Sequence, residues 1–175
     1  MIYFITVVFL ALGVSATGYH PTWENLKNAL NTQDRIWVTH RSYERYTDDK
    51  KHDCVYALKQ SLTGVNYEFS QTYDYGTKRI TRELHGEISQ EGPDAVLTVS
   101  EKAGQKGIPY TLRYWDEHRH CGVLTFTDTD GVFKCELHVW EGNLPVSGEY
   151  PCLLEYQRIC PSLHSYQVHS PDCLS

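Results

Sequence analysis

Positive charge is scarce in this chain: 16 Lys and Arg stand against 22 Asp and Glu, for a formal net charge of −6. A nucleic-acid partner, whose phosphates demand a basic face, is therefore not expected. No Cys-x-x-Cys pair occurs, which weakens any zinc reading of the cysteines. Nor does a Gly-x-Ser-x-Gly elbow accompany the serines, and no other catalytic constellation is visible, so the chain does not read as an enzyme. No Asn-x-Ser/Thr sequon is present, and N-glycosylation is not expected. Repeats, low-complexity tracts and linkers are missing too, which leaves one domain and implies no cofactor.

Long apolar runs are absent except at the start. There "MIYFITVVFLALGVSA" closes on Val14-Ser15-Ala16, whose small residues suit a signal-peptidase site, although no Lys or Arg precedes the apolar core. Residues 1–16 read as a secretory signal. A membrane anchor is the competing reading, but the run falls short of the roughly 20 residues a spanning helix needs. The remaining 17–175 are expected to form one secreted, extracellular domain, monomeric and without membrane association. Its six cysteines, Cys54, Cys121, Cys135, Cys152, Cys160 and Cys173, are an even number in an oxidising setting and suggest three disulfides. Six cysteines alone leave fifteen connectivities open. The alternative, a metal site from His118 and His120 beside Cys121, is disfavoured by the same setting.

What the chain does have is alternation. After "YHPTWENLKNALNTQD", where Leu26 and Leu30 would share a face of a short helix begun by Trp23, β-branched and aromatic residues alternate with polar ones. Eight such segments fall near 35–46, 54–61, 65–73, 77–89, 94–100, 108–116, 121–127 and 132–140. Turn signals such as "TDDKKHD", "EGPD", "KAGQKG" and "DTDG" separate them. The fold class is all-β, and eight closely spaced strands predict an antiparallel up-and-down barrel, which has no open edge. In "VSGEYPCLLEYQRIC" the pattern changes to a helix, with Pro151 in its first turn and Cys152, Tyr156 and Cys160 spaced by four. An extended piece, "HSYQVHSPDC", follows.

Two strands carry the candidate site. In "KCELHVW", Cys135, Leu137 and Val139 point one way and Glu136, His138 and Trp140 the other. If the late helix packs outside the barrel, Cys135 must face outward to meet a helix cysteine, because disulfide partners need Cα atoms within about 7 Å. Glu136, His138 and Trp140 would then line the interior. In the first strand, Trp37, Thr39, Arg41 and Tyr43 share a face unless a bulge intervenes. A buried Arg41 would need a carboxylate partner, and Glu136 is a candidate.

These pieces resemble the salivary lipocalins of ticks, which include histamine-binding and immunomodulatory members. The resemblance rests on "TWENLKNAL", "IWVTHRSYE", "CVYAL", "CGVLTF", "KCELHVW", "PCLLEYQRIC" and a cysteine near the C-terminus, in that order. It implies bridges Cys54–Cys173 and Cys121–Cys152, with Cys135–Cys160 matching a third bridge found in some members. It also implies that Glu136 and Tyr43 stand at positions similar to pocket residues that hold histamine. Other expected partners differ: His138 replaces an aromatic, Gly122 replaces an acid, and Ala29 replaces an acid of the N-terminal helix. A two-site histamine trap is therefore not expected.

The resemblance implies a secreted protein that sequesters a small host mediator, and so dampens host inflammation or immunity. A lipid, a sterol or a biogenic amine such as histamine would be held by Trp37, Arg41, Tyr43, Glu136, His138 and Trp140. The missing acids favour the lipid side. The competing reading is a module whose loops "YTDDKKHD" and "SEKAGQKGIP" bind a host immune protein or receptor, with the cavity incidental.

Overall fold

The structure is a computed structural model that describes residues 19–174, so the expected signal stretch lies outside the described residues. Helix α1 (Trp23–Leu30) precedes strands β1 (Ile36–Arg41), β2 (Tyr46–Thr47), β3 (Lys50–Thr63), β4 (Asn66–Tyr75) and β5 (Lys78–Glu91). Strands β6 (Asp94–Ser100), β7 (Ile108–Asp116), β8 (Cys121–Thr127) and β9 (Phe133–Trp140) follow, then helix α2 (Leu153–Ile159) and the short strand β10 (Tyr166–Gln167). From β3 to β9 each strand pairs antiparallel with the next, and β1 joins β9 on one side and β3 on the other. Eight strands thus close into the expected barrel, with β2 and β10 as appendages.

The expected strand over 35–46 is divided. β1 ends at Arg41, and Tyr46–Thr47 fold onto Lys50–Lys51 through a two-residue turn in which Asp48 and Asp49 have φ of 50° and 59°. Two consecutive positive φ values are the signature of a type I′ hairpin, which Asp tolerates better than most side chains. The polar run read as a loop is therefore a hairpin, and β3 begins at Lys50 rather than at Cys54.

Helix α1 starts on a capping box: the Thr22 hydroxyl accepts from the Asn25 N–H, and the Asn25 side chain accepts from the Thr22 N–H. Its buried Leu26, Ala29 and Leu30 close one end of the barrel against Ile36, Leu112, Trp115 and Leu124. A second apolar layer lies outside the wall, where Val123, Cys135, Leu137 and Val139 meet Cys152, Tyr156 and Cys160 of the α2 segment. β9 therefore has the two faces its alternation predicts.

The disulfides are Cys54–Cys173, Cys121–Cys152 and Cys135–Cys160, the three pairs that the resemblance implies. Cys121 is thus committed to sulfur and not to a metal. The seam between β1 and β3 is zipped directly only at Ile36 and Trp37. Beyond it the C-terminal segment inserts: the Val168 N–H donates to the Thr39 carbonyl at 2.9 Å and its carbonyl accepts from the Cys54 N–H at 2.8 Å. Cys54, with φ of 53°, sits where the β3–β4 register shifts, and its bridge to Cys173 pins the inserted segment.

Candidate functional site

A bulge decides which side chains of β1 enter the barrel. The β1–β9 register shifts between Val38 and His40, and one extra residue reverses the phase of everything beyond it. Ile36 and Val38 line the interior before the bulge, Arg41 and Tyr43 after it. Trp37 does not share their face. It is fully buried on the other side of the wall, edge-on to His169 with centroids 4.7 Å apart, and its indole N–H donates to Glu141 at 2.8 Å.

The interior has two lobes that share Val38, Gln71, Val99, Tyr110 and Glu136. The inner lobe, next to α1, is a cavity of about 70 Å³ walled mainly by Leu30, Ile36, Tyr67, Phe69, Leu97 and Leu124. The outer lobe is larger, about 560 Å³, and its wall includes Arg41, Tyr43, Arg45, His52, Arg82 and Lys106. An apolar floor thus lies beneath a polar, largely cationic mouth.

Glu136 stands where the lobes meet. One carboxylate oxygen accepts from the Tyr43 hydroxyl, and the other lies 2.8 Å from Nε2 of His138. Burial opposes its ionisation, yet the hydrogen bonds from His138 and Tyr43 and the charges of His138 and Arg41 hold it below the usual carboxylate range. Burial and the same carboxylate push the Tyr43 hydroxyl far up, so Tyr43 is a neutral donor. Arg41 is inside but does not form the direct pair with Glu136 that the sequence suggested. Its Nη2 donates to the His52 carbonyl at 2.6 Å, and its guanidinium lies 5.1 Å from the Tyr43 ring centre.

His138 also faces a smaller space under α1 that it shares with Trp140. Trp140 points inward as its strand phase requires, but it is held at the closed end: its indole N–H donates to the Ala29 carbonyl at 3.0 Å and its ring stacks on His120 at 4.1 Å. Tyr43, Glu136 and His138 therefore meet at the lobe junction with Arg41 beside them, while Trp140 lies below and Trp37 outside. Sequence reasoning missed Tyr67, Phe69 and Gln71, although their alternation along β4 was a usable signal. It also missed Arg45 and His52, which the β2–β3 hairpin brings together, and Arg82 and Lys106, which join them only when the barrel closes.

Comparison with protein families matches residues 17–175 to the tick histamine binding protein family. The chain belongs to that family. Compared by sequence with curated proteins, it matches none. Among solved structures, the tick lipocalin AM182 in its serotonin complex superposes with a TM-score of 0.62 at 16% identity, over 85% of this chain and 91% of that one. Japanin from Rhipicephalus appendiculatus, bound to cholesterol, gives 0.53 at 18% identity, over 81% of this chain and 94% of that one. At such identities the likeness establishes the tick lipocalin fold.

Within that fold, the closed end of this chain has no room for an added acid. A Cβ built on Gly122 would sit 2.9 Å from the Tyr114 carbonyl oxygen and 3.2 Å from the Trp115 ring. Ala29, the other position where the resemblance expects an acid, is packed into the inner core. Glu136 and, at the mouth, Glu101 are the carboxylates lining the two lobes among the described residues.

Proposed function

We propose that this tick lipocalin sequesters a small, mainly apolar host mediator of lipid type, with the tip of its apolar body in the inner lobe and the rest across the junction toward the mouth. The observation that carries the reading is that Glu136, the acid an amine would need, already accepts from Tyr43 and contacts His138. An amine would have to share or exchange a carboxylate that already serves these two partners, beneath a cationic mouth. Burial of apolar ligand surface against Tyr67, Phe69, Leu97 and Leu124 needs no such exchange.

Secretion at a feeding site, and with it the damping of host inflammation, is part of the proposal. It is supported by the family and by the apolar stretch 1–16. A biogenic amine is the second reading, favoured by the ionised state of Glu136 beside the Tyr43 and Tyr110 rings.

Native mass spectrometry of the full-length chain, secreted from a eukaryotic host, tests the proposal. A co-purified adduct of lipid mass that excess histamine does not displace is the expected result. An empty barrel that takes up one histamine would overturn it in favour of the second reading. An empty barrel that takes up neither histamine nor added lipid would move the activity to the exterior loops.

A further inference from the structure

The bulge that turns Arg41 into the barrel turns His40 out of it, toward a cavity of about 290 Å³ that shares no lining residue with the barrel interior. We propose that this outer cavity is a docking site for an arginine side chain of a partner protein, independent of what fills the barrel.

The first observation is His40 itself. The Thr39 hydroxyl donates to the Leu137 carbonyl at 3.4 Å, so it accepts from Nδ1 of His40 at 3.3 Å. That order leaves Nε2 a bare acceptor, with no donor among the described residues. His40 is 7% exposed, and burial pushes its pKa down to about 4. It is therefore neutral at physiological pH and does not repel a cation.

Two further groups of the lining are also acceptors without a donor. Gln167 spends its amide N–H groups on the His169 carbonyl at 2.8 Å and the Tyr150 hydroxyl at 3.4 Å, which leaves its side-chain oxygen free. Glu149 has no ion pair or hydrogen bond among the described residues. No Lys or Arg lines the cavity. Three acceptors, one of them charged, suit a cation with several donors. A guanidinium carries five N–H groups in a planar fork, where an ammonium carries three on a point charge.

The remaining walls fit the rest of such a side chain. Pro145, Leu153 and Pro171 are apolar surfaces for its methylene stem, and the Tyr150 ring beside them favours a cation. At the rim Val146 is fully exposed, and Leu154, next to Leu153 on α2, is 68% exposed. A free small cation would leave both in water, whereas a protein segment covers them, so the occupant is a partner chain. The Cys121–Cys152 bridge and the hydrogen bond from the Tyr150 hydroxyl to the His169 carbonyl at 3.0 Å hold this loop in place before a partner arrives.

The test is a nuclear magnetic resonance titration of the isotopically labelled full-length chain with the capped peptide acetyl-Leu-Arg-Leu-amide, its citrulline counterpart and agmatine. The arginine peptide is expected to shift the amides of residues 145–150, His40 and Gln167 and the Nε2 resonance of His40, with a Kd on the order of 1 mM. Citrulline, which keeps the shape and loses the charge, should bind about tenfold more weakly, and so should agmatine, which lacks the leucines. Glu149→Gln is expected to weaken the arginine peptide about tenfold, and Val146→Ser to weaken the peptide but not agmatine. Equal binding of the arginine and citrulline peptides would refute the cation site. Agmatine binding as tightly as the peptide would make the cavity a small-cation pocket and refute the docking surface. Absence of shifts at these residues up to about 10 mM peptide would refute both.

Discussion

Glu136 and His138, two residues apart on β9, both face the barrel interior, and Nε2 of the imidazole lies 2.8 Å from a carboxylate oxygen. The strand's period of two puts them on one face, and Tyr43 from β1 completes the set. The acid at the centre of the cavity is thus stabilised by the protein's own donors, and a ligand cation is not needed to keep it charged.

Replacing that acid should therefore cost stability. Glu136→Gln is expected to lower stability at neutral pH by roughly 1–3 kcal/mol, since an amide cannot accept from both partners as the carboxylate does. The folded-state pKa of Glu136 is depressed, so its contribution is present above the unfolded carboxylate value of about 4.3 and is lost as pH falls through the folded value. Urea unfolding across pH should show a shallower acid decline in the variant than in the native chain.

Histidines outside the wall give a second pH dependence of different origin. His40 lies under Tyr150 and Tyr156, and His169 lies against Trp37 and Tyr150; burial pushes His40 down to about 4 and also lowers His169. Both are held neutral, so their contribution is full above the unfolded value of about 6.5 and is lost as pH falls from there through the folded values, which for His40 is near 4. Protonating His40 should cost up to about 3 kcal/mol. The urea midpoint of the native chain should fall across this window, and His40→Gln should flatten part of that fall.

Much of this was legible in the sequence, and the exceptions have physical causes. The faces of β9 followed from alternation because that strand is regular from Cys135 to Trp140. Trp37 was misplaced because a bulge is set by how β1 meets β9, which no single strand records. Arg41 and Tyr43 stayed together because the bulge lies before both. Arg82 and Lys106 went unread because they come from distant parts of the chain and meet only when the barrel closes. The cysteine pairs came from family resemblance, since the spacing of the cysteines leaves many pairings open.

Gly122 should resist substitution. Its missing Cβ leaves room for the Tyr114 carbonyl, so Gly122→Ala is expected to destabilise the barrel by roughly 1–3 kcal/mol. Gly122→Asp should be worse and should not create an amine site. Chemical unfolding and histamine titration of the two variants check both statements.

The C-terminal seam should depend on its disulfide. Cys54→Ser with Cys173→Ser is expected to reduce stability by roughly 2–5 kcal/mol. Amide exchange should show the Val168 N–H, bonded to Thr39 in the intact chain, losing protection before the amides of β8 and β9.

The most direct test of the central claim is calorimetric titration of histamine into the delipidated full-length chain at neutral pH. Because Glu136 is already partnered, no saturable binding is expected below about 100 µM histamine. One histamine bound per barrel at micromolar concentration or less, and lost in Glu136→Gln, would contradict the account and restore Glu136 as an amine anchor.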